Sequence, residues 1–380
     1  MHNVFLNLTH IFGRIIKYLE VISVSATWGK NFKITIFGES HGECIGIVID
    51  GIPSGVELDD EMIFFEMSRR SSKGGSMSTG RREPDRTEIV TGIFNGKTTG
   101  APMTVIIKNT DKISRDYDMM KSIARPGHAD FTAFVKYSGF NDYRGGGHFS
   151  GRLTAPIVFA GAIAKQILIK RGIFIGAHIN SIGKIEDRRF NSEDMCKASF
   201  DKLAKADFPI LRESLREEMI SEIENTRSTG DSLGGMIECS VIGLSAGVGN
   251  PFFESIESVL SSILFSIPSI KGVEFGAGFD ISKMLGSEAN DEIFIEDEAV
   301  KTKTNYNGGI NGGISNGMPI VFRVAVKPTP SISKAQSTID FLKKENVELS
   351  INGRHDAVIV PRVLPVVEAV TAIAILDMIL

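Results

Sequence analysis

The sequence predicts an α+β fold with helices packed between or against antiparallel sheets. Three observations carry the prediction. Short β-branched runs bounded by Gly, Pro, Asn or Asp recur along the 380-residue chain, as strands do. They do not alternate strictly with helices, as a doubly wound parallel sheet would require. The stretch Thr154–Arg171 is apolar nearly all round, so a helix there must be covered on most sides.

Taken in order, residues 1–22 are apolar but broken by Arg14, Lys17 and Glu20. A secretory signal needs an unbroken apolar run of roughly 7–15 residues, so this stretch reads as a dispensable N-terminal extension or a start-site artefact. Strands are expected at Lys33–Phe37, Ile45–Asp50, Glu88–Phe94 and Met103–Lys108, followed by the buried helix. Ser192–Asn225 is long and charged, giving one or two solvated surface helices. A strand at Met236–Leu244, an amphipathic helix at Phe253–Ile267 and a strand at Ile320–Val326 come next. Val363–Leu380 is apolar, but a membrane span needs about 20 apolar residues and Pro365, Glu368 and Asp377 interrupt this one. It reads as a helix buried in a soluble protein, with no membrane partner. No linker or repeat divides residues 23–380, which read as one domain.

Composition narrows the function. Lys and Arg number 42 against 46 Asp and Glu, a net charge of −4, with 42% hydrophobic and 23% charged residues. That excludes a disordered chain and argues against coating of nucleic acid, which needs a basic face. Cys44, Cys196 and Cys239 are too few and too scattered for a disulfide framework or a zinc motif, so a reducing, cytoplasmic location is expected. Glycine is high, 39 residues or roughly 10% against the usual ~7%. Tight turns around a ligand would account for it.

Five loops hold the chemistry-bearing residues. Gly38-Glu39-Ser40-His41-Gly42 offers an imidazole between glycines, and Arg125-Pro126-Gly127-His128-Ala129-Asp130 sets a permanent cation beside a titratable ring. Arg144-Gly145-Gly146-Gly147-His148-Phe149-Ser150-Gly151-Arg152 exposes backbone N–H groups before a helix start, which suits phosphate. Asn307–Gly317 is a Gly/Asn loop followed by Lys327-Pro328-Thr329-Pro330-Ser331, and Gly353-Arg354-His355-Asp356 precedes the last helix. Arg69, Arg70, Lys73, Arg81, Arg82 and Arg86 form a basic cluster, either plain surface or a lid over an anionic substrate. Singly, each loop could be an ordinary turn. Together they point to an enzyme for phosphorylated or carboxylated small molecules, with histidines as acid/base groups. No metal motif stands out, because the histidines lack i, i+4 pairing.

In this order the loops resemble chorismate synthase, from about Ser25 to the C-terminus. The segments that carry the likeness include TWGKNFKITIFGESHG, SRRSSKGGSMSTGRREPD, TTGAPMTVIIKNTD, ARPGHADFTAFVKYSGFNDYRGGG, KGVEFGAGF, GGINGGISNG, VKPTPSI and GRHD with a PVVEA helix. The resemblance implies a sandwich of helices between antiparallel sheets and a homotetramer. It also implies the anti-1,4-elimination of phosphate from 5-enolpyruvylshikimate 3-phosphate, aided by reduced FMN. NADPH or a separate flavin reductase would keep that flavin reduced. By position, His41 would protonate the leaving phosphate, His128 would serve the reduced flavin, and Asp356 would assist proton removal. Arg69, Arg125 and Arg152 would bind substrate. The cofactor would meet Arg70, His148, Phe149, Ser150, Pro268, Ser269, Gly312, Lys327, Pro328, Thr329, Pro330, Ser331 and Arg354.

Two departures mark this chain. Arg69-Arg70-Ser71-Ser72-Lys73 stands where the family commonly has RRxPG, and His148-Phe149-Ser150-Gly151-Arg152-Leu153-Thr154 stands where RSSARET is frequent. A histidine thus replaces an arginine at position 148. The alternatives are a flavin-binding paralogue without this elimination, or another phosphate-ester lyase or transferase.

Overall fold

A computed structural model describes residues 26–71, 85–110, 121–351 and 356–380. The extension 1–22, Lys73, Arg81, Arg82, Arg354 and His355 lie outside them.

The first sheet uses β1 (Thr27–Trp28), β2 (Lys33–Gly38) and β3 (Cys44–Asp50), and after helix α1 (Asp60–Arg70) it adds β4 (Thr87–Ile89) and β5 (Met103–Lys108). Its order is β1-β2-β3-β5-β4 and every pairing is antiparallel. The expected strand Glu88–Phe94 is split. Gly92 turns the chain at φ +92°, and Ile93–Phe94 leaves to form a separate hairpin with Lys97–Thr98.

Helices α2 (Asp130–Lys136) and α3 (Thr154–Lys170) lead to the second sheet. Its members are β6 (Phe174–Ile182), β7 (Ile185–Glu186), β8 (Gly235–Ile242), β9 (Ile270–Phe275) and β10 (Ile320–Val326), in the antiparallel order β9-β10-β8-β6-β7. Between β7 and β8 the charged stretch forms two helices, α4 (Lys197–Lys205) and α5 (Arg216–Ser228). Helix α6 (Ile256–Leu264) precedes β9, and Ser255 caps it by accepting from the Ser258 N–H. A hairpin of β11 (Gln336–Asp340) and β12 (Glu345–Leu349) precedes the C-terminal helix α7 (Val360–Ile379).

Helices α3 and α7 pack on each other and lie between the two sheets: α3 meets β2, β3 and β5, and α7 meets β6 and β8. This is the sandwich that the resemblance implies. Their close crossing needs a small residue, because a side chain on Gly161 would overlap Ala369. The segment Gly151–Lys170 is long and apolar enough to cross a membrane, yet 89% of its most apolar 18-residue stretch is buried inside the protein. Burial of both faces explains why the helix is apolar all round.

Charge is also buried in this layer. Arg69 of α1 donates to Glu66 (2.8 Å) and Glu368 (2.5 and 3.0 Å), and Lys165 donates to the same two carboxylates (2.8 and 2.7 Å). Burial alone would raise the Glu368 carboxyl, but Arg69 and Lys165 outweigh it and bring it down to about 2. The side chains of Arg69 and Arg70 are therefore buried, and neither is part of a surface lid.

Candidate active site

The two sheets aim their loop-bearing ends at a common region. In the first sheet Gly38 pairs with Ile45 and Cys44 with Lys108, so the His41 loop and the exit of β5 share one end. In the second, Val326 pairs with Gly235 and Ile270. The turns at 268–269, 232–234 and 327–331 therefore share an end too.

The glycine run joins these ends. Gly145, Gly146 and Gly147 have φ of +59°, +81° and +53°, three successive left-handed residues that only glycine adopts without cost. The turn brings Gly145 against the buried His41 ring, so that a methyl group there would overlap it. The next residue faces the other histidine: a methyl on Gly146 would lie 3.1 Å from His128 Cε1 and 3.2 Å from Nε2. Two histidines 87 positions apart in sequence thus flank consecutive residues of one turn. The Ser40 N–H donates to the Gly147 carbonyl at 3.1 Å, and His148 Nδ1 donates to the Gly38 carbonyl at 2.9 Å. His148 therefore braces the glycine turn against β2 through one nitrogen, and at most Nε2 remains for a ligand. Phe149 packs edge-on against Tyr137, with centroids 6.1 Å apart.

The His128 loop is anchored from both sides. The Ala124 N–H donates to the Ile339 carbonyl of β11 at 3.2 Å, which fixes the approach of Arg125. Asp130 Oδ2 accepts from the Arg125 backbone N–H (2.9 Å) and Nε (2.8 Å), and Oδ1 accepts from Arg125 Nη2 (2.7 Å) and lies 2.8 Å from His128 Nδ1. Burial would raise the Asp130 carboxyl, but these hydrogen bonds hold it well below the usual carboxylate range. Lys327 Nζ donates to the Gly127 carbonyl, and Arg125 Nη1 reaches Ser331 Oγ at 3.5 Å. Burial and neighbouring Lys271 draw the Lys327 ammonium below its ordinary value. The Lys327 N–H donates to the Ser269 carbonyl (2.9 Å), which places Pro268 and Ser269 beside the same loop.

A second cluster of arginines is buried nearby. Arg70 and Arg152 each donate to one oxygen of Asp85, and Arg152 Nε also donates to Asn109 Oδ1 at 3.2 Å. Asn109 Nδ2 in turn donates to the carbonyls of Glu39 and Gly42, each at 3.0 Å, tying this cluster to the His41 loop. Burial pushes the Asp85 carboxyl up, and the two guanidinium groups more than reverse that. Arg362 of α7 donates to Asp356 Oδ2 (2.7 Å) and to the Arg70 carbonyl (3.2 Å), which draws Asp356 to the same cluster.

The expected site residues are therefore mostly brought together, with two exceptions. Arg69 points into the helix layer, where Glu66 and Glu368 engage its guanidinium, and not toward the loops. Gly312 lies before β10, in a turn whose neighbour Gly313 accepts from the Ile256 N–H at 3.0 Å. The seven residues of β10 separate that turn from Lys327, about 20 Å of strand. Within one chain Gly312 does not join the Lys327 loop. Arg354 lies outside the described residues. Reading the sequence missed Asp85, Asn109, Asp130 and Arg362 as site residues. Only Asp130 carried a local signal, a carboxylate two residues after a histidine at a helix start.

The loop around Thr329 suits an anionic, hydrogen-bonding ring system such as FMN. Thr329 Oγ1 is buried and has no hydrogen-bond partner among the described residues, and the same holds for Ser40 Oγ. An orphaned buried hydroxyl costs about 1–3 kcal/mol, which a bound ligand would recover. Lys327 and Arg125 supply positive charge at either end of this loop.

Comparison with known proteins gives one answer. A family model described as chorismate synthase matches residues 32–380. Chorismate synthase of Dehalococcoides mccartyi is 46% identical over 355 residues, covering 93% of this chain and 96% of that protein. The chorismate synthase of Pyrococcus abyssi is 47% identical over 349 residues, covering 92% and 96%. A solved crystal structure of chorismate synthase superposes with a TM-score of 0.70 at 30% identity, covering 92% of each chain.

Proposed function

From the premise that the chain belongs to the chorismate synthase family, carbon–oxygen lyases of the shikimate pathway, we propose how its residues divide the work of that elimination. One observation supports the assignment above others: His41 and His128 face successive glycines of a single turn, with buried arginines on both sides.

The reaction converts 5-enolpyruvylshikimate 3-phosphate to chorismate by losing phosphate from C3 and a hydrogen from C6. Departing phosphate needs cations and a proton. Arg70 and Arg152 share one counter-ion, Asp85, so this trio keeps one net positive charge to draw an anionic substrate group. His41 is the acid that protonates the leaving phosphate. His128 presents Nε2 beside Gly146, the nitrogen that takes up a proton and passes it on. Asp356, oriented by Arg362, is the carboxylate that assists proton removal. Reduced FMN, when bound, supplies electron density that eases departure of the C3–O bond. Thr329, Ser331 and Lys327 would hold it, with Pro268 and Ser269 alongside.

The electrons of that flavin come from NADPH or a separate reductase, and the enzyme works in the cytoplasm. A homotetramer is supported by large exposed apolar side chains on segments beyond the far end of the second sheet, among them Phe252, Phe253, Phe279, Ile293 and Ile295, since apolar side chains left in water favour association. Residues 1–22 are a dispensable extension, preceding the family match at residue 32.

Replacing His41 or His128 by Ala tests the assignment. Each should slow turnover by about 10²-fold or more, the scale of a lost positioned acid, in protein that still folds. Losses below threefold for both would make the histidines structural.

A further inference from the structure

Asp130 has no role in the assignment above, yet it is the buried group that faces His128 most directly. We propose that Asp130 is a positioning residue that fixes the tautomer of His128, placing the proton on Nδ1 and leaving Nε2 as the working nitrogen. The inference rests on His128 acting as assigned and names what makes it able to act.

The groups around the ring decide the matter. Nδ1 lies 2.8 Å from Asp130 Oδ1 and 3.0 Å from Arg125 Nη2. An arginine N–H can only donate, so by itself Arg125 would favour an unprotonated Nδ1. However, Nη2 already donates to Asp130 Oδ1 at 2.7 Å, the shorter of its two contacts. Asp130 is an ionised carboxylate surrounded by donors, and an ionised carboxylate only accepts. Nδ1 must then carry the hydrogen that meets it. The other edge of the ring faces Gly146, where an added methyl group would lie 3.2 Å from Nε2. The same logic underlies triads in which a buried aspartate orients a catalytic histidine.

Asp130→Asn makes the inference testable, because the amide has one acceptor and one donor. The Arg125 backbone N–H and Nε both converge on Oδ2, so the amide oxygen should take that place. The NH2 group then meets Nδ1 and forces it to accept. The proton moves to Nε2, and the working nitrogen is blocked.

The experiment is magic-angle-spinning NMR on sedimented protein labelled with 15N-histidine, at a pH high enough to neutralise the ring. His128→Gln identifies the His128 signals among the seven histidines. Wild type should show a protonated Nδ1 and an unprotonated Nε2, and Asp130→Asn should show the reverse. With it, kcat should fall about 10²–10⁴-fold while KM for substrate stays within threefold. An unprotonated Nδ1 in wild type overturns the proposal without any variant, so a variant that fails to fold does not protect it. An unchanged tautomer in Asp130→Asn overturns Asp130's role and leaves His128's standing. A reversed tautomer with unchanged kcat overturns the role of His128 itself, and that of Asp130 with it.

Discussion

Gly145→Ala should separate a turn that positions His41 from one that merely connects two elements. Gly145 sits at φ +59°, and a methyl group there would overlap the His41 ring. The left-handed backbone costs a non-glycine residue about 1–2 kcal/mol, and overpacking adds about 1–3 kcal/mol. The sum, about 2–5 kcal/mol, can be turned into a melting shift. Unfolding entropy is roughly 2.1 cal/mol/K per residue, or about 0.8 kcal/mol/K for a chain of this length. The midpoint should therefore fall by about 3–6 °C. Activity should fall further, because relieving the overlap moves His41 by about 1 Å, and such a misplacement costs about 10²-fold. Gly172→Ala is the control: φ is +77° with no atom within 4 Å, so it should show only the backbone cost and full turnover. Gly146→Ala, with 3.1 Å to His128 Cε1, should fall between them. Melting curves and steady-state turnover of the three variants decide the matter. Gly145→Ala behaving like Gly172→Ala would refute the reasoning.

Asp85→Asn should destabilise by about 3–5 kcal/mol, because it leaves Arg70 and Arg152 buried without their counter-ion; chemical denaturation showing less than 1 kcal/mol would contradict this. Glu368 has a folded pKa lowered from 4.5 to about 2. Its contribution is complete above the unfolded value and is lost as pH falls through about 4.5 to 2, so Glu368→Gln should flatten the acid limb of the stability curve, and an unchanged limb would count against it. Thr329→Ala should not destabilise the protein, since Oγ1 has no hydrogen-bond partner among the described residues, but should weaken oxidised FMN about 2- to 10-fold, the worth of one hydrogen bond. Equal affinities in a fluorescence titration would remove Thr329 from the cofactor site.

The parts of the fold that were legible in sequence are those where local pattern and tertiary burial agree. β2, β3, β5, β8 and β10 read as β-branched runs, and α3 and α7 as apolar helices. β6 was missed because His178 and Asn180 interrupt its apolar pattern. Both are satisfied only in three dimensions, His178 by Glu238 at 3.0 Å and Asn180 by the Asp187 carbonyl at 3.2 Å. Helix α1 was missed for a similar reason: Glu66 and Arg69 look like surface residues and are buried as ion pairs. In the site, loops holding a histidine between glycines were visible, while their supports were not. Asp85 lies 15 residues from Arg70 and 67 from Arg152, and no spacing rule connects three such positions. Gly312 is the opposite case: its glycine-rich turn looked like part of the site, and the direction of β10 places it away from the Lys327 loop of the same chain.

The central claim is that this chain forms chorismate and needs reduced flavin to do so. The direct test is an anaerobic assay with purified protein, 5-enolpyruvylshikimate 3-phosphate and dithionite-reduced FMN, following chorismate by its absorbance. Turnover should appear with reduced FMN and be absent with dithionite alone in flavin-stripped protein. Full turnover without flavin would contradict the cofactor assignment, and no chorismate under any of these conditions would contradict the activity itself.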